Sequence, residues 1–579
     1  MAEPGRRSLT GSRWVLRTVD DGGTVERLRA GLGVCSMTAR ALVCRGISEA
    51  EQARIFLGHD LGGLIDPFQM KDMDRAVAAV DAALKRGARI RIYGDYDVDG
   101  VCATALLMRA LTGLGGKVDS YIPHRIDEGY GVNEEAVRQA HAEGVDLLIT
   151  VDCGSTAVAP IALARELGLE MVVTDHHRLG DELPEAPVLN PWRADCEYPF
   201  KDLAGVGVAF KLVAALARAR EVPEGAELKF LDLVCLGTVG DVVPLLGENR
   251  LFVQHGLRRL ATSRKVGIRE LMRAAGVGRE RPVKAQDVAF GLAPRINAAG
   301  RMEDAQAAVR LLLTGDRGEA QALAAQLSEH NEARRTEERK TLEEAEAMVA
   351  SGLDLDREKV IVLGSEGWHP GVIGIVASRL VDRHHRPCLL VAIADGVGKG
   401  SGRSVSAFNL WEALRECAAV LTRFGGHRYA AGFGIEAGRM EELRRRINEV
   451  ADERLAPDDL VRQIEIDAEV ALEDLTLEAV EELSRLAPFG MGNPTPTLVT
   501  RGIGLDEVKP VGDGSHLSLK LRGESGGAVD GIWFRAGALR EELESARRAD
   551  VCFRARVDEW HGTTKVQLHV EDIVLWDGD

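Results

Sequence analysis

Three aspartates stand at alternate positions in residues 93–100, a segment that contains two glycines. Asp95, Asp97 and Asp99 repel one another unless a positive charge lies among them. A divalent cation is the simplest source of that charge, because carboxylates suit Mg²⁺ and Mn²⁺. A calcium-binding loop is disfavoured, since it needs a glutamate where this chain has Leu106. The segment therefore predicts a metal site, with a plain acidic turn as the alternative.

Three further segments place an acid or an imidazole after an apolar run. Asp152 follows one run, Asp175, His176 and His177 follow the next, and Asp241 follows a later one. Taken singly, Asp152 is more typical of a helix cap or turn, and Asp241 of an ordinary turn. Together, the four segments predict that four strand ends, including one at Asp241, bring acids and histidines to one edge of a sheet.

The elements that must position these residues are alternating strands and helices. The pattern predicts strands over residues 88–93, 118–122, 146–151 and 171–174, and helices over 101–114, 134–141 and 160–167. Such alternation indicates a mainly parallel sheet, which binds ligands at the carboxyl ends of its strands. Two metal ions about 3.5–4 Å apart at such an edge are the usual device for phosphodiester cleavage.

The rest of the chain divides by composition. Residues 1–45 form an N-terminal segment without assigned chemistry, and residues 46–304 form the first α/β domain. Residues 305–350 predict a helical connector that ends in a long helix over 318–349. Residues 351–455 predict a second α/β domain. Residues 456–579 predict a small β-barrel, because strand-like stretches alternate there with glycine-rich turns.

Charge and cysteine content exclude several classes of protein. With 73 basic and 90 acidic residues the net charge is −17, which argues against nonspecific coating of DNA. The nine cysteines form no Cys-x-x-Cys pair, so we expect a reducing, cytoplasmic environment and no structural zinc site. No apolar run is long enough for a membrane helix, and we expect no secretory signal at the start.

The sequence resembles the DHH phosphoesterase superfamily, which is named for the triplet present here as Asp175, His176 and His177. Within it, the chain is similar to bacterial exonucleases that degrade single-stranded DNA in the 5′→3′ direction. The similarity runs from about residue 46 to the end. It covers the four segments above and further motifs at residues 294–301, 367–374, 400–404, 424–432 and 488–494.

This resemblance implies a fold and a metal centre. The fold is a doubly wound, mainly parallel α/β DHH domain, a long connecting helix, a second α/β DHH-associated domain and a C-terminal OB-fold-like β-barrel. The implied cofactor is two ions of Mn²⁺ or Mg²⁺. The implied metal ligands are Asp95, Asp97, Asp99, Asp152, His176 and Asp241. Asp175 and His177 complete the implied catalytic set.

The resemblance also implies side chains that contact substrate phosphates. Arginine can bind phosphate oxygens through two hydrogen bonds, and backbone N–H groups in glycine turns add donors. We expect Arg301 and Arg403 in glycine-containing turns, where they would help to hold a 5′-terminal phosphate. The full implied set is Arg125, Arg301, His369, Ser401, Arg403 and His427.

The implied function is metal-dependent 5′→3′ degradation of single-stranded DNA to mononucleotides, in DNA repair and recombination. Expected partners are single-stranded DNA, a helicase and a single-strand-binding protein, with no membrane and a monomeric chain. One alternative is a DHH phosphoesterase for small substrates such as oligoribonucleotides or phosphoadenosine phosphate. The other is a non-catalytic DHH-fold scaffold of replication. Residues 397–404 and 205–210 match phosphate-loop and dinucleotide-binding patterns incompletely, so we expect neither ATP hydrolysis nor nicotinamide binding.

Overall fold

The computed structural model describes residues 8–18, 23–124, 128–129, 131–278, 281–302, 305–355, 357–560 and 563–576. These residues form two compact units. The metal-binding unit, as we call it, comprises the described residues of Ile55–Ala333 and Leu486–Thr495. The second unit comprises those of Met1–Arg54, Arg334–Arg485 and Pro496–Asp579. None of the described helices has both the length and the apolar character that a bilayer crossing requires.

The N-terminal part is one short strand followed by helices. Its elements are β1 (Arg13–Leu16), α1 (Thr24–Leu32), α2 (Ser36–Val43), α3 (Ala50–Leu57) and α4 (Met73–Lys85). In the second unit, the carboxylate of Asp572 holds the chain ahead of β1. It accepts a hydrogen bond from Thr10 N at 3.1 Å and one from Trp14 Nε1 at 2.7 Å. Residues 8–18 are therefore an integral part of the second unit.

The first sheet is parallel throughout and has the strand order β3-β2-β4-β5-β6. Its elements are β2 (Arg89–Tyr93), α5 (Val98–Gly113), β3 (Lys117–Tyr121), α6 (Glu134–Ala142), β4 (Leu147–Val151), α7 (Val158–Glu166), β5 (Glu170–Thr174) and β6 (Val188–Leu189). Every residue of β4 is buried, as are the last four residues of β2 and of β5. Such continuously buried strands are typical of a parallel sheet that is covered on both faces.

A group of helices completes the core of the metal-binding unit. They are α8 (Gly205–Ala219), α9 (Leu231–Gly240), α10 (Gly247–Ala261), α11 (Val266–Ala274), α12 (Ala285–Asp287), α13 (Ala293–Met302) and α14 (Gln306–Leu313). Buried side chains of α5, α8 and α9 belong to the same hydrophobic core as strands β2 and β4. The next helix, α15 (Arg317–Gly352), is 36 residues long. It confirms the long helix that the sequence predicts in the connector.

The second sheet lies in the second unit and is mixed, in the order β10-β11-β9-β8-β7. Strands β7 and β8 are parallel, and the other pairs are antiparallel. Its elements are β7 (Ile361–Ser365), α16 (Ile373–His384), β8 (Cys388–Ala394), β9 (Val397–Arg403), α17 (Leu410–Glu416), β10 (Arg423–Gly426), β11 (Ala430–Glu436) and α18 (Met440–Arg454).

The C-terminal part is a closed barrel. Its elements are β12 (Gln463–Ile466), which pairs with β1, then β13 (Ala468–Glu469), α19 (Leu477–Ser484), β14 (Leu498–Val511), β15 (His516–Arg522), β16 (Ala528–Trp533), α20 (Arg540–Ser545), β17 (Arg548–Trp560) and β18 (Thr563–Leu575). Strands β14-β15-β16-β18-β17 follow one another around the barrel, and the pairing of β17 with β14 closes it. The predicted fold class, with its parallel sheet, second α/β part and OB-like barrel, is confirmed.

Candidate metal centre

The loop between β2 and α5 carries the first three acids. Asp97 is the N-cap residue of α5, and its Oδ1 accepts hydrogen bonds from the backbone N–H groups of Asp99 (2.8 Å) and Gly100 (3.1 Å). Aspartate is a preferred N-cap because the first N–H groups of a helix have no partner within it. Asp95 is buried in the preceding turn. The helix start therefore fixes these acids at the carboxyl end of β2.

Asp99 is fully buried and is held by the start of a second helix. Its Oδ2 accepts a hydrogen bond from Gly205 N at 2.6 Å, and its Oδ1 accepts one from Val206 N at 2.9 Å. These donors lie at the N-terminus of α8, where the partial positive charge of a helix favours an anion. Gly237 of α9 also packs against Asp99, since a Cβ there would lie 2.6 Å from Asp99 Oδ1.

Asp152 follows β4 in an unusual backbone conformation. Its φ is 60°, in the left-handed region that side chains other than glycine, asparagine and aspartate seldom adopt. Gly205 leaves room for the carboxylate, because a Cβ at that position would lie 2.7 Å from Asp152 Oδ1. Residues other than glycine with a positive φ are uncommon, and they concentrate at functional sites where the surrounding structure holds them in place.

Asp175 organises the two histidines that follow it. It accepts hydrogen bonds from the backbone N–H groups of Ser155 (2.9 Å), His176 (2.7 Å) and His177 (3.1 Å), and its Oδ1 lies 2.9 Å from His177 Nδ1. Burial alone would raise the pKa of Asp175, but the His177 hydrogen bond and the charges of both imidazoles hold it well below its usual range. Asn190 Nδ2 donates to His177 O at 2.8 Å.

The side chains from these elements converge. His176 Nε2 lies 3.1 Å from Asp152 Oδ1, 3.5 Å from Asp241 Oδ2 and 4.0 Å from Asp99 Oδ2. Three overlapping groups have ligand atoms within 4.8 Å of one another. They are Asp95–Asp97–Asp152, Asp99–His176–Asp241 and Asp152–His176–His177. Asp152 and His176 each belong to two groups, so adjacent sites could share a ligand.

The protonation chemistry of the site fits a divalent cation. Burial, and then the charges of neighbouring acids, raise the pKa of Asp152 and Asp241 far above its usual range and that of Asp99 to about 7. Burial and the nearby His177 lower the pKa of His176 to about 4, so its Nε2 can be a neutral ligand. Asp241 Oδ2 is buried and makes no hydrogen bond with any described residue. The carboxylates, which outnumber the imidazoles among these ligands, suit Mn²⁺ and Mg²⁺.

Three family models match successive parts of the chain. They are the N-terminal domain of the DHH family at residues 89–238, the DHHA1 domain at 357–453 and the RecJ OB domain at 466–572. The chain is 41% identical over 568 residues to the single-stranded-DNA-specific exonuclease RecJ of Bacillus subtilis. That match spans 97% of this chain and 71% of the relative. The chain belongs to the RecJ family.

Solved RecJ structures extend this similarity to the fold. The Mn²⁺ complex of RecJ from Thermus thermophilus matches with a TM-score of 0.83 at 34% identity, over 98% of this chain and 80% of that one. The Mg²⁺ complex from the same organism matches with a TM-score of 0.79 at 33% identity, over 98% and 79% of the two chains. With the donor set described above, these complexes confirm the prediction of Mn²⁺ or Mg²⁺ as the cofactor.

The prediction that Asp241 lies at a strand end of this RecJ family member is wrong. Asp241 does not follow a strand but is the C-cap residue of α9, and it reaches the sheet edge from the end of that helix. The run before it is apolar and buried on every face, with Asp232 the one charged residue within it. A short run that is apolar all round shows neither helix nor strand periodicity, so the sequence could not distinguish the two.

The expected turns at Arg301 and Arg403 are also wrong. Arg301 lies within α13, and the preceding Gly300 packs against the loop after β2, since a Cβ there would lie 2.6 Å from Tyr96 O. Arg403 ends strand β9, where its Nη1 donates to Gly402 O at 2.8 Å. The glycines around both arginines serve close packing within regular elements, and not the formation of a turn.

The other predicted phosphate-contact residues of this chain lie in the second unit, except for Arg125. Ser401 is on β9, and its Oγ accepts a hydrogen bond from Arg403 Nη1 at 3.3 Å. His369 precedes α16, and its Nδ1 accepts a hydrogen bond from Gly371 N at 3.1 Å. His427 follows β10. Arg125 lies outside the described residues. The metal-binding unit thus brings together all eight predicted acids and histidines, whereas Ser401, Arg403, His369 and His427 belong to the second unit.

Sequence reasoning missed the groups that hold the acids of this RecJ family member. The N–H groups of Gly205 and Val206, the close approach of Gly237 and the amide of Asn190 all come from segments distant along the chain. The glycines at 205 and 207 were visible as a partial dinucleotide-binding pattern. Their role here is to start a helix whose first N–H groups point at a carboxylate.

Proposed function

We propose that this chain, a metal-dependent hydrolase of the DHH superfamily that degrades single-stranded DNA, shortens its substrate from the 5′ end and releases mononucleotides. Three overlapping sets of metal ligands at one sheet edge support the hydrolytic part of this proposal most strongly. Such an edge suits hydrolysis of a phosphodiester with two metal ions. We place this activity in DNA repair and recombination.

In this proposal, Asp95, Asp97 and Asp152 would hold one ion. Asp99, His176 and Asp241 would hold the other. When bound, the ions would polarise the scissile phosphate and lower the pKa of an attacking water.

The remaining groups of the site would orient the ligands. Asp175 fixes His177 through its Nδ1, in the way that a carboxylate commonly orients a metal-binding imidazole. The helix starts at α5 and α8 keep Asp97 and Asp99 in place without further movement. The chain itself therefore supplies a site that is organised before substrate binds.

We further assign Arg301, His369, Ser401, Arg403 and His427, together with Arg125, to contacts with substrate phosphates. Arg301 is next to Gly300, which packs against the acid-bearing loop, so a phosphate near the ions would be within the range of a long side chain. Guanidinium groups match phosphate oxygens and would select a 5′-terminal phosphate.

The closed barrel of β14–β18 supports a grip on single strands, because barrels of this topology bind extended nucleic acids. A helicase and a single-strand-binding protein as partners, a monomeric state and a cytoplasmic location complete the proposal. The domain boundaries predicted from the sequence, at residues 45, 304, 350 and 455, are also part of this proposal.

A small-substrate phosphoesterase is disfavoured because the chain carries the RecJ OB domain. A non-catalytic scaffold is disfavoured because every predicted acid is present.

The test uses a single-stranded oligonucleotide with a 5′ phosphate and a 3′ fluorophore, incubated with Mn²⁺. We expect progressive shortening of the labelled strand, no cutting of a matched duplex and no cutting with EDTA. Asp152→Asn should abolish cutting without disturbing the backbone, because asparagine tolerates the left-handed φ of that position. The control Asp181→Asn changes an exposed acid of the same unit and should cut normally. Immediate release of the label as a mononucleotide would overturn the proposed 5′ polarity.

A further inference from the structure

An arginine and a tryptophan stack on one another beside the metal centre. Arg178 directly follows His177, and Trp192 lies two residues after Asn190 in the segment that leaves β6. Arg178 Cζ lies 3.4 Å from the centroid of the Trp192 ring. This distance is well inside the range of about 6 Å over which a cation is attracted to the face of an indole. We call these two side chains the stacked pair.

The first sheet places the stacked pair at the edge that carries the acids. Strands β5 and β6 are parallel neighbours, with Thr174 opposite Leu189. Arg178 lies four residues beyond Thr174, and Trp192 lies three residues beyond Leu189, so both follow the carboxyl ends of adjacent strands. Those ends are where a parallel sheet of this kind binds its ligands. The stacked pair therefore lies at the same edge as the metal ligands, on the side of β6.

One buried amide connects both members of the stacked pair to the metal centre. Asn190 is fully buried, and its Nδ2 donates at 2.8 Å to His177 O, the carbonyl that precedes the arginine. Asn190 Oδ1 accepts a hydrogen bond from Trp192 N at 2.9 Å. The backbone next to each member of the pair is therefore fixed relative to His177, whose imidazole Asp175 orients.

The charge of Arg178 is not neutralised by an acid. The residue is exposed, and no hydrogen bond or ion pair joins its side chain to any of the described residues. Stacking uses the face of the guanidinium group, so the N–H donors, which lie in its plane, stay available to a ligand. A side chain held in this way also loses less conformational entropy when it binds. The stacked pair is thus a preorganised cationic group at an edge rich in carboxylates.

We propose that Arg178 binds a backbone phosphate of the single strand and that Trp192 holds Arg178 in position for this contact. A strand at this edge brings its phosphates close to buried carboxylates, and an unpaired guanidinium offsets that repulsion while it donates two hydrogen bonds to one phosphate. Because the exposed guanidinium covers a face of the half-buried indole, the pair offers the strand a charge and not a ring. This contact rests on the proposed function, adds to the phosphate contacts assigned there and does not depend on which end of the strand enters first.

The test uses a single-stranded oligonucleotide with a 5′ phosphate and a 3′ fluorophore, and the full chain. Its cutting is followed with Mn²⁺, and its binding is measured by anisotropy in EDTA. Arg178→Gln should raise both KM and Kd at least about fivefold and keep kcat within about twofold, because the lost contact is made equally before and during the reaction. The plot of log Kd against log salt concentration should become shallower by about 0.7, the contribution of one phosphate contact to single-strand binding. A purely structural role of Arg178 would not change this slope.

Variants of Trp192 test its role as a positioning residue. Trp192→Leu should raise Kd about threefold, and Trp192→Phe, which keeps an aromatic face, should bind nearly like the unaltered chain. Because Trp192 acts through Arg178, the double variant Arg178→Gln with Trp192→Leu should bind no more weakly than Arg178→Gln alone. The matched control is Arg415→Gln, which removes an exposed arginine whose Cζ lies 5.2 Å from the centroid of the Trp411 ring in the second unit. It should leave KM, Kd and the salt dependence unchanged.

The remaining outcomes decide the proposal. An unchanged KM and an unchanged salt dependence in Arg178→Gln would overturn the phosphate contact. A double variant that binds more weakly than Arg178→Gln would overturn the positioning role of Trp192. If the unaltered chain neither bound nor cut the strand, the proposed function would fail together with this contact. Normal cutting by the unaltered chain and an equal result for Arg178→Gln would reject the contact alone.

Discussion

Asp241→Asn should stabilise the protein in the absence of metal while it impairs metal binding. Asp241 lies among Asp99, Asp97 and Asp95, whose charges, after burial, raise its pKa. The same causes raise the pKa of Asp99 from 3.8 to about 7, which corresponds to ~4 kcal/mol for ionising one carboxyl at this edge without a cation. A neutral amide of the same shape removes one of these buried like charges.

The pH dependence has a definite sign. A carboxyl whose pKa is higher in the folded than in the unfolded chain binds more protons when folded, so stability falls as the pH rises through its titration. For Asp99 this fall runs from about pH 4 to about pH 7, above which the metal-free protein bears the full cost of ionising Asp99. We therefore expect Asp241→Asn to gain about 1–3 kcal/mol at pH 8, and less at pH 5, where protonation already relieves the repulsion.

Urea unfolding in EDTA, at both pH values, measures the gain. Added Mn²⁺ should stabilise the unaltered chain by far more than the variant, since the cation neutralises a cluster that the variant no longer completes. Asp181→Asn, at an exposed position, is the control for the substitution itself. If Asp241→Asn were less stable than the unaltered chain at pH 8 without metal, mutual repulsion of the acids would not be the dominant effect at this site.

Two further predictions concern other parts of the metal-binding unit. Gly237→Ala would place a methyl group 2.6 Å from Asp99 Oδ1, so we expect at least a tenfold loss of kcat and about 1–3 kcal/mol of stability. Gly113→Ala, where a Cβ meets nothing within 4 Å, should keep both, and equal effects of the two would refute the packing argument. Burial raises the pKa of Asp119, but hydrogen bonds from Arg91 and Arg89 lower it by more, so the net shift is downward. The ionised carboxylate therefore stabilises the folded chain above about pH 4, and this contribution is lost as the pH falls below that value. Thermal melts between pH 5 and pH 3 should show that Asp119→Asn loses about 1 kcal/mol less of its folding stability than the unaltered chain does, because asparagine does not titrate. The difference is small because solvent screens the partly exposed side chain of Asp119.

The sequence predicted the sheet and the position of its acids for a physical reason. Strands β2, β4 and β5 are largely buried segments of strand length that alternate with amphipathic or apolar helices, and each has an acid within a few residues of its end. The carboxyl ends of parallel strands necessarily lie at one edge. Local pattern and global topology therefore gave the same answer for Asp97, Asp152 and Asp175.

The features that escaped prediction depend on contacts between distant segments. Helix α9 is apolar all round, so its period is invisible, and Asp241 was expected at a strand end. The N–H groups that hold Asp99 come from residues more than 100 positions later, where the glycines at 205 and 207 resembled a different motif. Arg301 and Arg403 were expected in turns because glycines lie next to them in the sequence. Here those glycines instead allow close packing inside a helix and a strand.

The hydrogen-bond ladder of the first sheet has a consequence for how such proteins can diverge. Neighbouring strands of any parallel sheet lie about 4.8 Å apart, and β2, β4 and β5 are direct neighbours. The distance between their acidic ends is thus inherited from backbone geometry and not from the side chains of the surrounding loops. Insertions or replacements in those loops can alter what is bound while they leave the spacing of the donors intact. A sheet of this kind can therefore acquire new substrates through changes in its loops while the metal-dependent chemistry at its edge is retained.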